Sequence, residues 1–594
     1  MASSAAGTTL VSAPGKVLVA GGYLVLDPAY PGLVIATDSR FYTHVTPAQD
    51  AQEGRQLVRV RSPQFIGARW DYVVAVKQDT CSLQQTSETH AAANAGPNPF
   101  ISLAVLYALR LAVEVRGSEH VASVLAPHGL DIAVLADNDF YSQRQGAKAP
   151  SRDQLAALPT FHAQECAIRD VHKTGLGSSA AMTTSLVGAL LLHLGAVGGS
   201  SSSSSERQLS QADLALVHNT AQLAHCAAQG KVGSGFDVSS AVWGSHLYRR
   251  FDPLALQPLL DAGEKVGVEG GETSSSAPPA LLPHLSPSNA LWHPSPLSSE
   301  AGAEGSTNPT AVEGLHSADP QGSSDGGLGV ARPAPLELPP RLEMVLADVD
   351  TGSNTPSLVG KVMAWRKAKP EWAAQLYAVI AASNSSLADA LLALRLAHAQ
   401  DPQAYDEAVE NAAKHKVTEW DSMQRGSSPS TTLVLLIEVR NALRSIRAGM
   451  RELGQRAGAP VEPDEMGRVI RASVDGAPGV LGGGVPGAGG FDALYLLYLR
   501  PASVPDSQPA PARVAVEAVW ADWTELSIGP LLSTAGGSAG VASSAEQLDS
   551  AAAPAQQHPD LPRLPSSSTR DGGLRVESVQ DVKGLQAALD RPQR

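Results

Sequence analysis

The stretch from Lys173 to Leu194 places the tightest limit on how this chain can fold. Lys173-Thr174-Gly175-Leu176-Gly177-Ser178-Ser179-Ala180-Ala181 runs without a break into the apolar segment Met182 to Leu194. A segment of that kind, apolar on every side, is stable as a helix only when it is buried. The glycines before it permit backbone conformations closed to other residues, and the first N–H groups of a helix point out of its positive end. A phosphate chain fits such a place. The two serines add hydroxyls that can bond phosphate oxygens or reach a bound Mg²⁺, and Lys173 is close enough in sequence to add a positive charge. A plain Gly-Ser turn capping a helix explains the same residues. The segment matches neither the Walker loop, with its Gly-Lys-Ser/Thr ending, nor the Gly-x-Gly-x-x-Gly dinucleotide fingerprint.

Around this segment the chain divides by composition. Residues 263–339 are dominated by Ser, Gly, Pro, Ala and Glu with few aromatics. Such a segment cannot bury enough apolar surface to offset its ordering entropy, so it reads as a disordered insertion. The stretch 533–594 reads as a largely disordered tail, with a short segment near 573–588 expected to rejoin the second folded block. Two blocks remain, 8–262 and 340–532, and a chain of 594 residues with 43% hydrophobic and 17% charged content can supply a core to each. Leu33 to Val45 and Leu57 to Val60 alternate as strands do, and Pro99 to Val115 has helical spacing. In the second block Leu342 to Val349 reads as a strand, Thr355 to Lys369 and Glu371 to Ala399 as helices, and Val514 to Trp520 as a further strand. Helices come in runs and do not alternate regularly with strands, which predicts an α+β protein.

Charge and cysteine content exclude several classes. A formal charge of −14 argues against a general nucleic-acid or anionic-membrane binder, so any anionic ligand must meet a local cluster of donors. Cys81, Cys166 and Cys226 are too few and too scattered for a disulfide framework or a four-ligand zinc site, which fits a reducing compartment. The start carries no basic segment followed by an apolar one, and Ser185 to Val197 is too short to cross a bilayer. The last residues, Arg591 to Arg594, are not the peroxisomal tripeptide. The expectation is a cytoplasmic protein, with a peroxisomal location as the alternative, and no membrane, nucleic-acid or obligate protein partner.

Three segments in order carry a family resemblance. The loop at Lys173 to Ala181 resembles the phosphate-wrapping motif of the GHMP kinases. Ser12-Ala13-Pro14-Gly15-Lys16-Val17-Leu18-Val19-Ala20-Gly21-Gly22-Tyr23-Leu24-Val25-Leu26-Asp27 resembles their N-terminal motif. Gly482-Gly483-Gly484-Val485-Pro486-Gly487-Ala488-Gly489-Gly490-Phe491-Asp492 resembles their C-terminal one. Gly-Glu-His, found after the first motif's lysine segment in many GHMP sugar and mevalonate kinases, is replaced here by Gly21-Gly22-Tyr23. That wording is similar to the phosphomevalonate kinases, as are Asn138 to Gln143, Ala227 to Asp237, and Thr351 to Val359 with Lys361 and Trp365-Arg366.

The resemblance implies a two-domain GHMP kinase fold with the active site in the cleft between domains, ATP and Mg²⁺ as cofactors, and phosphomevalonate as the small-molecule acceptor. It implies catalytic roles for Lys16 and Asp237. Lys173, Gly175, Leu176, Gly177, Ser178, Ser179, Ala180 and Ala181 would bind ATP, with Ser178 reaching Mg²⁺ through the nucleotide. Tyr141, Ser142, Lys231, Ser353, Ser357, Gly487, Ala488 and Gly489 would meet the acceptor. The chain departs from related mevalonate kinases where they carry a metal-holding glutamate, because Gln222-Leu223-Ala224-His225 occupies that stretch. A mevalonate or sugar kinase, or an inactive nucleotide-binding regulator on the same fold, would share the glycine motifs.

Overall fold

The computed structural model describes residues 7–48, 56–86, 96–126, 128–144, 146, 148–198, 209–263, 267–268, 278–293, 333–349, 355–425, 429–535 and 572–592. Among these, a nine-stranded sheet organises the first half. Its strands are β1 (Thr9–Ala20), β2 (Gly32–Pro47), β3 (Leu57–Arg61), β4 (Arg69–Val76), β5 (Cys81–Gln85), β6 (Leu130–Ala136), β7 (His246–Tyr248), β8 (Gly267–Val268) and, from the far end of the chain, β13 (Arg575–Val576). The order is β13-β1-β2-β6-β3-β4-β5-β8, with β7 paired to β2, and all pairs are antiparallel except β3 with β6 and β5 with β8.

Helices α1 (Pro99–Arg116), α2 (Ser178–His193), α3 (Gln211–Gln229) and α4 (Phe236–Trp243) pack with this sheet. Helix α2 is the apolar segment expected from sequence. It lies against β1 and β2 between α1 and α3, and Leu186, Val187, Leu190 and Leu191 have no exposed surface. Its seat is fixed by polar detail as well, since Thr43 and Ser185 share a hydrogen bond of 2.9 Å inside the core.

The second half is built on a four-stranded antiparallel sheet of β9 (Leu342–Asp348), β10 (Val480–Gly484), β11 (Ala493–Leu499) and β12 (Gly529–Pro530), in the order β10-β11-β9-β12. Long helices surround it, among them α5 (Pro370–Gln400), α6 (Thr431–Ala457), α7 (Asp464–Gly476) and α8 (Pro511–Ala521). By length and composition α5 could cross a membrane. In this fold it packs along α6 and buries Ile380, Leu387, Leu391 and Leu394.

Three expectations need correction. Val514 to Trp520 is not a strand but part of helix α8. Its alternating valines imitate a period of two, yet the buried residues are Ala512, Val516 and Trp520, spaced four apart, while Val514 is 50% exposed. Pro511 opens the helix, where its missing N–H costs nothing.

The stretch 263–339 is not structureless throughout. Residues 278–293 dock on α1 and α3: Leu281, Leu285 and Trp292 are buried, the Leu281 and Leu282 N–H groups donate to the Glu114 carboxylate, and Arg110 donates to the Pro279 carbonyl. Residues 294–332 lie outside the described ones.

The tail segment joins the first sheet, not the second block. Val576 pairs with Val11, Ser12 donates to Glu577 at 2.7 Å, and the buried Arg40 guanidinium donates to the Gly573 carbonyl. Leu585 and Ala588 then pack on Leu10, Tyr42 and Phe161. Before the tail, the chain crosses from β12 back to the first sheet, where the Leu532 and Ser533 N–H groups donate to Asp139.

Candidate active site

The loop before α2 is held by the strand that carries Lys16. The Lys16 N–H donates to the Leu176 carbonyl at 3.0 Å, and the Lys16 ammonium donates to the Gly175 carbonyl at 2.7 Å. A register shift in β1 between Pro14 and Lys16 turns the lysine toward the loop. Gly15 is needed there, since a Cβ would sit 2.7 Å from Thr37 Oγ1. Gly177 caps α2 in the left-handed conformation at φ 81°, and a Cβ on it would sit 2.9 Å from Lys16 Cε. From the other side Thr174 Oγ1 donates to the Asp139 carbonyl and Lys173 pairs with Tyr141 through an isolated bridge.

The helical ladder of α2 starts with Ala181 N–H to Gly177 O at 3.1 Å, so the N–H groups of Ser178, Ser179 and Ala180 lie outside it at the positive end of the dipole. No acidic residue occupies the first turn. Leu176, Ala180 and Ala181, expected at the nucleotide, turn their side chains into the core, with exposures of 3%, 1% and 1%. What they can offer a phosphate is backbone.

A second helix start lies close by. Asp237 is the second residue of α4, capped by Gly235 at φ 80°. The loop before it is pinned: Arg250 donates to the carbonyls of Val232, Gly233 and Leu26, and Gln222 Nε2 donates to the Gly235 carbonyl at 2.7 Å. Gln222 thus shapes the loop before α4. His225 of α3 joins the two helix starts, its Nε2 standing 3.1 Å from Ser179 Oγ and 3.9 Å from Asp237 Oδ2. The ring is 3% exposed, and burial lowers its pKa against the opposing pull of Asp237.

The Lys16 ammonium lies 5.7 Å from the centre of the Phe236 ring, within cation–π range. Burial pulls its pKa down, and the carboxylates of Asp237 and Asp492 push it back up. Asp492 ends the third glycine motif. Its Cβ lies 3.8 Å from where a Cβ on Gly175 would stand, which brings the start of β11 to the phosphate loop.

The third glycine loop touches the other end of β1. Gly487 N–H reaches the Leu18 carbonyl at 3.5 Å, Tyr23 Oη donates to the Ala488 carbonyl at 2.6 Å, and Tyr495 Oη donates to the Val19 carbonyl at 2.9 Å. Gly489 has no room for a side chain, as a Cβ would meet the Val461 carbonyl at 2.0 Å. Asp27 of the first motif pairs with Arg366 at 2.6 Å, tying β1's following turn to the helical domain.

The expected acceptor residues divide. Tyr141 is 4% exposed and packs edge-on against Phe41 and Phe65, a core position and not a surface for a ligand. Ser142 is committed to the Asp348 carboxylate at 2.7 Å, which Arg144 also holds. Lys231 and Ser357 are exposed. Ser353 lies outside the described residues. The structure therefore gathers Lys16, Gly175, Gly177, Ser178, Ser179, Asp237 and Asp492, and leaves the acceptor set less defined.

No family model matches the chain. Curated relatives do. A phosphomevalonate kinase of Aspergillus fumigatus is 32% identical over 520 residues, covering 82% of this chain and 87% of its own length. The peroxisomal phosphomevalonate kinase of Arabidopsis thaliana is 33% identical over 515 residues, covering 82% and 90%. Among solved structures, a Listeria innocua protein of 14% identity superposes with a TM-score of 0.50 over 88% of this chain and 97% of its own, a likeness of fold. With such identity sustained over most of both lengths, the chain belongs to the phosphomevalonate kinase family.

Proposed function

We propose that the chain transfers the γ-phosphoryl group of ATP to the phosphate of phosphomevalonate, giving diphosphomevalonate and ADP. An oxygen of the acceptor phosphate forms the new bond to the γ-phosphorus, and the bond from that phosphorus to the bridging oxygen of ADP breaks. The observation that carries the reading is Lys16, whose ammonium is held by the Gly175 carbonyl within electrostatic reach of Asp237 and Asp492.

A phosphate monoester has a second pKa of about 6, so the acceptor is mostly dianionic at neutral pH and needs little help in losing a proton. The larger obstacle is repulsion between two anions. Lys16 and the N–H groups at the start of α2 supply fixed positive charge where negative charge spreads in the transition state. Asp237 serves chiefly to keep Lys16 charged and oriented. The three-residue clusters of His, Cys, Asp or Glu that would cage a metal are missing among the described residues. The donors at hand fit a Mg²⁺ that arrives on the nucleotide: the hydroxyl of Ser178 and the carboxylate of Asp237, with waters and phosphate oxygens completing its shell. Bound there, the ion would neutralise phosphate charge. The three cysteines are free thiols, Cys81 and Cys226 buried, in keeping with a reducing compartment.

The reading is tested by ADP release with MgATP and, separately, phosphomevalonate, mevalonate, galactose and no acceptor. Release with phosphomevalonate alone supports it. Release with mevalonate or galactose in its place would keep the fold and overturn the substrate, and silence with all four despite nucleotide binding would indicate a regulator.

A further inference from the structure

On the face of the second domain formed by α6, α7 and β10, four arginines converge on a cavity of about 310 Å³. Arg444, Arg447 and Arg451 come from α6 and Arg471 from α7, and the backbone of Leu481 to Gly483 forms part of the wall. None of these residues belongs to the cluster around Lys16.

The charges around this cavity do not balance. Arg447 forms a two-pronged pair with Glu462, at 2.6 and 3.0 Å, and Arg451 shares the same carboxylate at 3.4 Å while reaching Asp464 at 2.8 Å. Among the described residues neither the Arg444 nor the Arg471 guanidinium has a hydrogen bond or ion pair, and Asp421 and Asp475 act on Arg444 only through space. Asp475 is the one carboxylate on the wall. Arg451 and Arg471 approach each other over Gly467 beside the Glu462 carboxylate: a Cβ there would stand 2.3 Å from Arg451 Nη1, 3.1 Å from Glu462 Oε1 and 3.4 Å from Arg471 Nη1. Like charges brought together cost free energy unless an anion answers them.

The walls suit a phosphate chain. Guanidinium forks bind phosphate oxygens in pairs. The strand at the base, β10, is at the edge of its sheet and consists there of glycines that its own packing requires: a Cβ on Gly482 would crowd Leu443, and one on Gly483 would strike the Tyr495 carbonyl.

We propose that this groove is a second anion site, separate from the catalytic one, that takes the phosphate end of a small molecule bearing a diphosphate or triphosphate. An occupant would bear on catalysis through β10. Arg447 packs beside Gly484, and the loop that follows carries the Gly487 contact to β1 and the Ala488 contact to Tyr23 in the turn after it.

The test is calorimetric titration of the full chain with inorganic tripolyphosphate while the catalytic site is filled by a non-hydrolysable ATP analogue and phosphomevalonate. One further site is expected. Its affinity should fall at least about tenfold in Arg444→Ala/Arg471→Ala, the loss expected from removing charged hydrogen bonds, and should be unchanged in Lys16→Ala. Parallel titrations with ADP and with inorganic pyrophosphate distinguish a nucleotide from a simple diphosphate, and binding of either at this site supports the proposal. Lack of any further site, or binding that the double variant leaves intact, overturns it. Neither result bears on whether the enzyme phosphorylates phosphomevalonate.

Discussion

Lys16 and Gly175 are joined across the candidate active site by a hydrogen bond of 2.7 Å from the ammonium to the carbonyl oxygen. Strand β1 and the phosphate loop are thus one unit, and the lysine is positioned before any nucleotide arrives. Lys16→Ala should lower kcat by about 10²- to 10³-fold, the range for removing one positioned electrostatic donor. Asp237→Ala should cost less, because a dianionic acceptor scarcely needs a base. Steady-state kinetics with circular dichroism on both variants checks this, and the reverse order would mean that Asp237 removes a proton after all.

Activity should also fall on the alkaline side at a pH below the ordinary lysine range. Burial lowers the Lys16 pKa and the carboxylates of Asp237 and Asp492 raise it. The charged form is the active one, so turnover is full below that pKa and lost as pH rises through it. Asp492→Asn removes one of the opposing carboxylates and should move the alkaline limb to lower pH. The pH profile of kcat for the two proteins decides the matter, and an unmoved limb would separate Asp492 from Lys16.

Gly177 bears on the same lysine through sterics. At φ 81° any side chain is strained, and the new Cβ would lie 2.9 Å from Lys16 Cε. Gly177→Ala should destabilise the fold by about 1 kcal/mol. It should depress kcat by more than that cost implies, because the lysine must shift. Equal activity in a folded variant would show that the loop tolerates the displacement.

Stability carries its own pH signature in the Asp137 carboxyl, which burial and the nearby Asp139 and Asp38 push up to about 7, against the Arg40 N–H bond of 2.7 Å and the Arg40 charge. The unfolded value is near 3.9. Since the folded pKa is the higher, this group's contribution is full below pH 4 and is lost as pH rises through about 7. Asp137→Asn keeps an acceptor for Arg40 N–H and should raise Tm at pH 8 by about 2–4 °C, with no gain at pH 4. Thermal unfolding at both values tests it; a loss of stability at pH 8 would show the carboxylate to be favourable.

What could be read from sequence follows how local the signal is. The glycines and serines of 173–181 and the apolar turns after them specify a helix start whatever surrounds it, and Pro99 to Val115 and Glu371 to Ala399 repeat with helical period. Val514 to Trp520 was misread because its valines alternate for two turns, while the burial that decides the matter falls on Ala512, Val516 and Trp520. Strand β13 has two residues and gains its stability from Val11 and Arg40, more than 500 positions away, so nothing in its own sequence announces it. Residues 278–293 are held by Arg110 and Glu114 on α1. In the candidate site, Lys16 and Asp237 come from separate motifs, and the fold brings them within electrostatic reach of each other. Asp492, Arg250 and Gln222 act through approach in space, and Tyr141 lay in a matching motif but faces aromatic neighbours.

In the proposed reaction the acceptor is a phosphate and not a hydroxyl. Phosphorus NMR of the phosphomevalonate-derived product, purified away from ADP and residual ATP, distinguishes the two. A pair of mutually coupled signals, the mark of a phosphate–phosphate linkage, is the predicted result. A second uncoupled monoester signal would place the new phosphate on an alcohol and contradict the account.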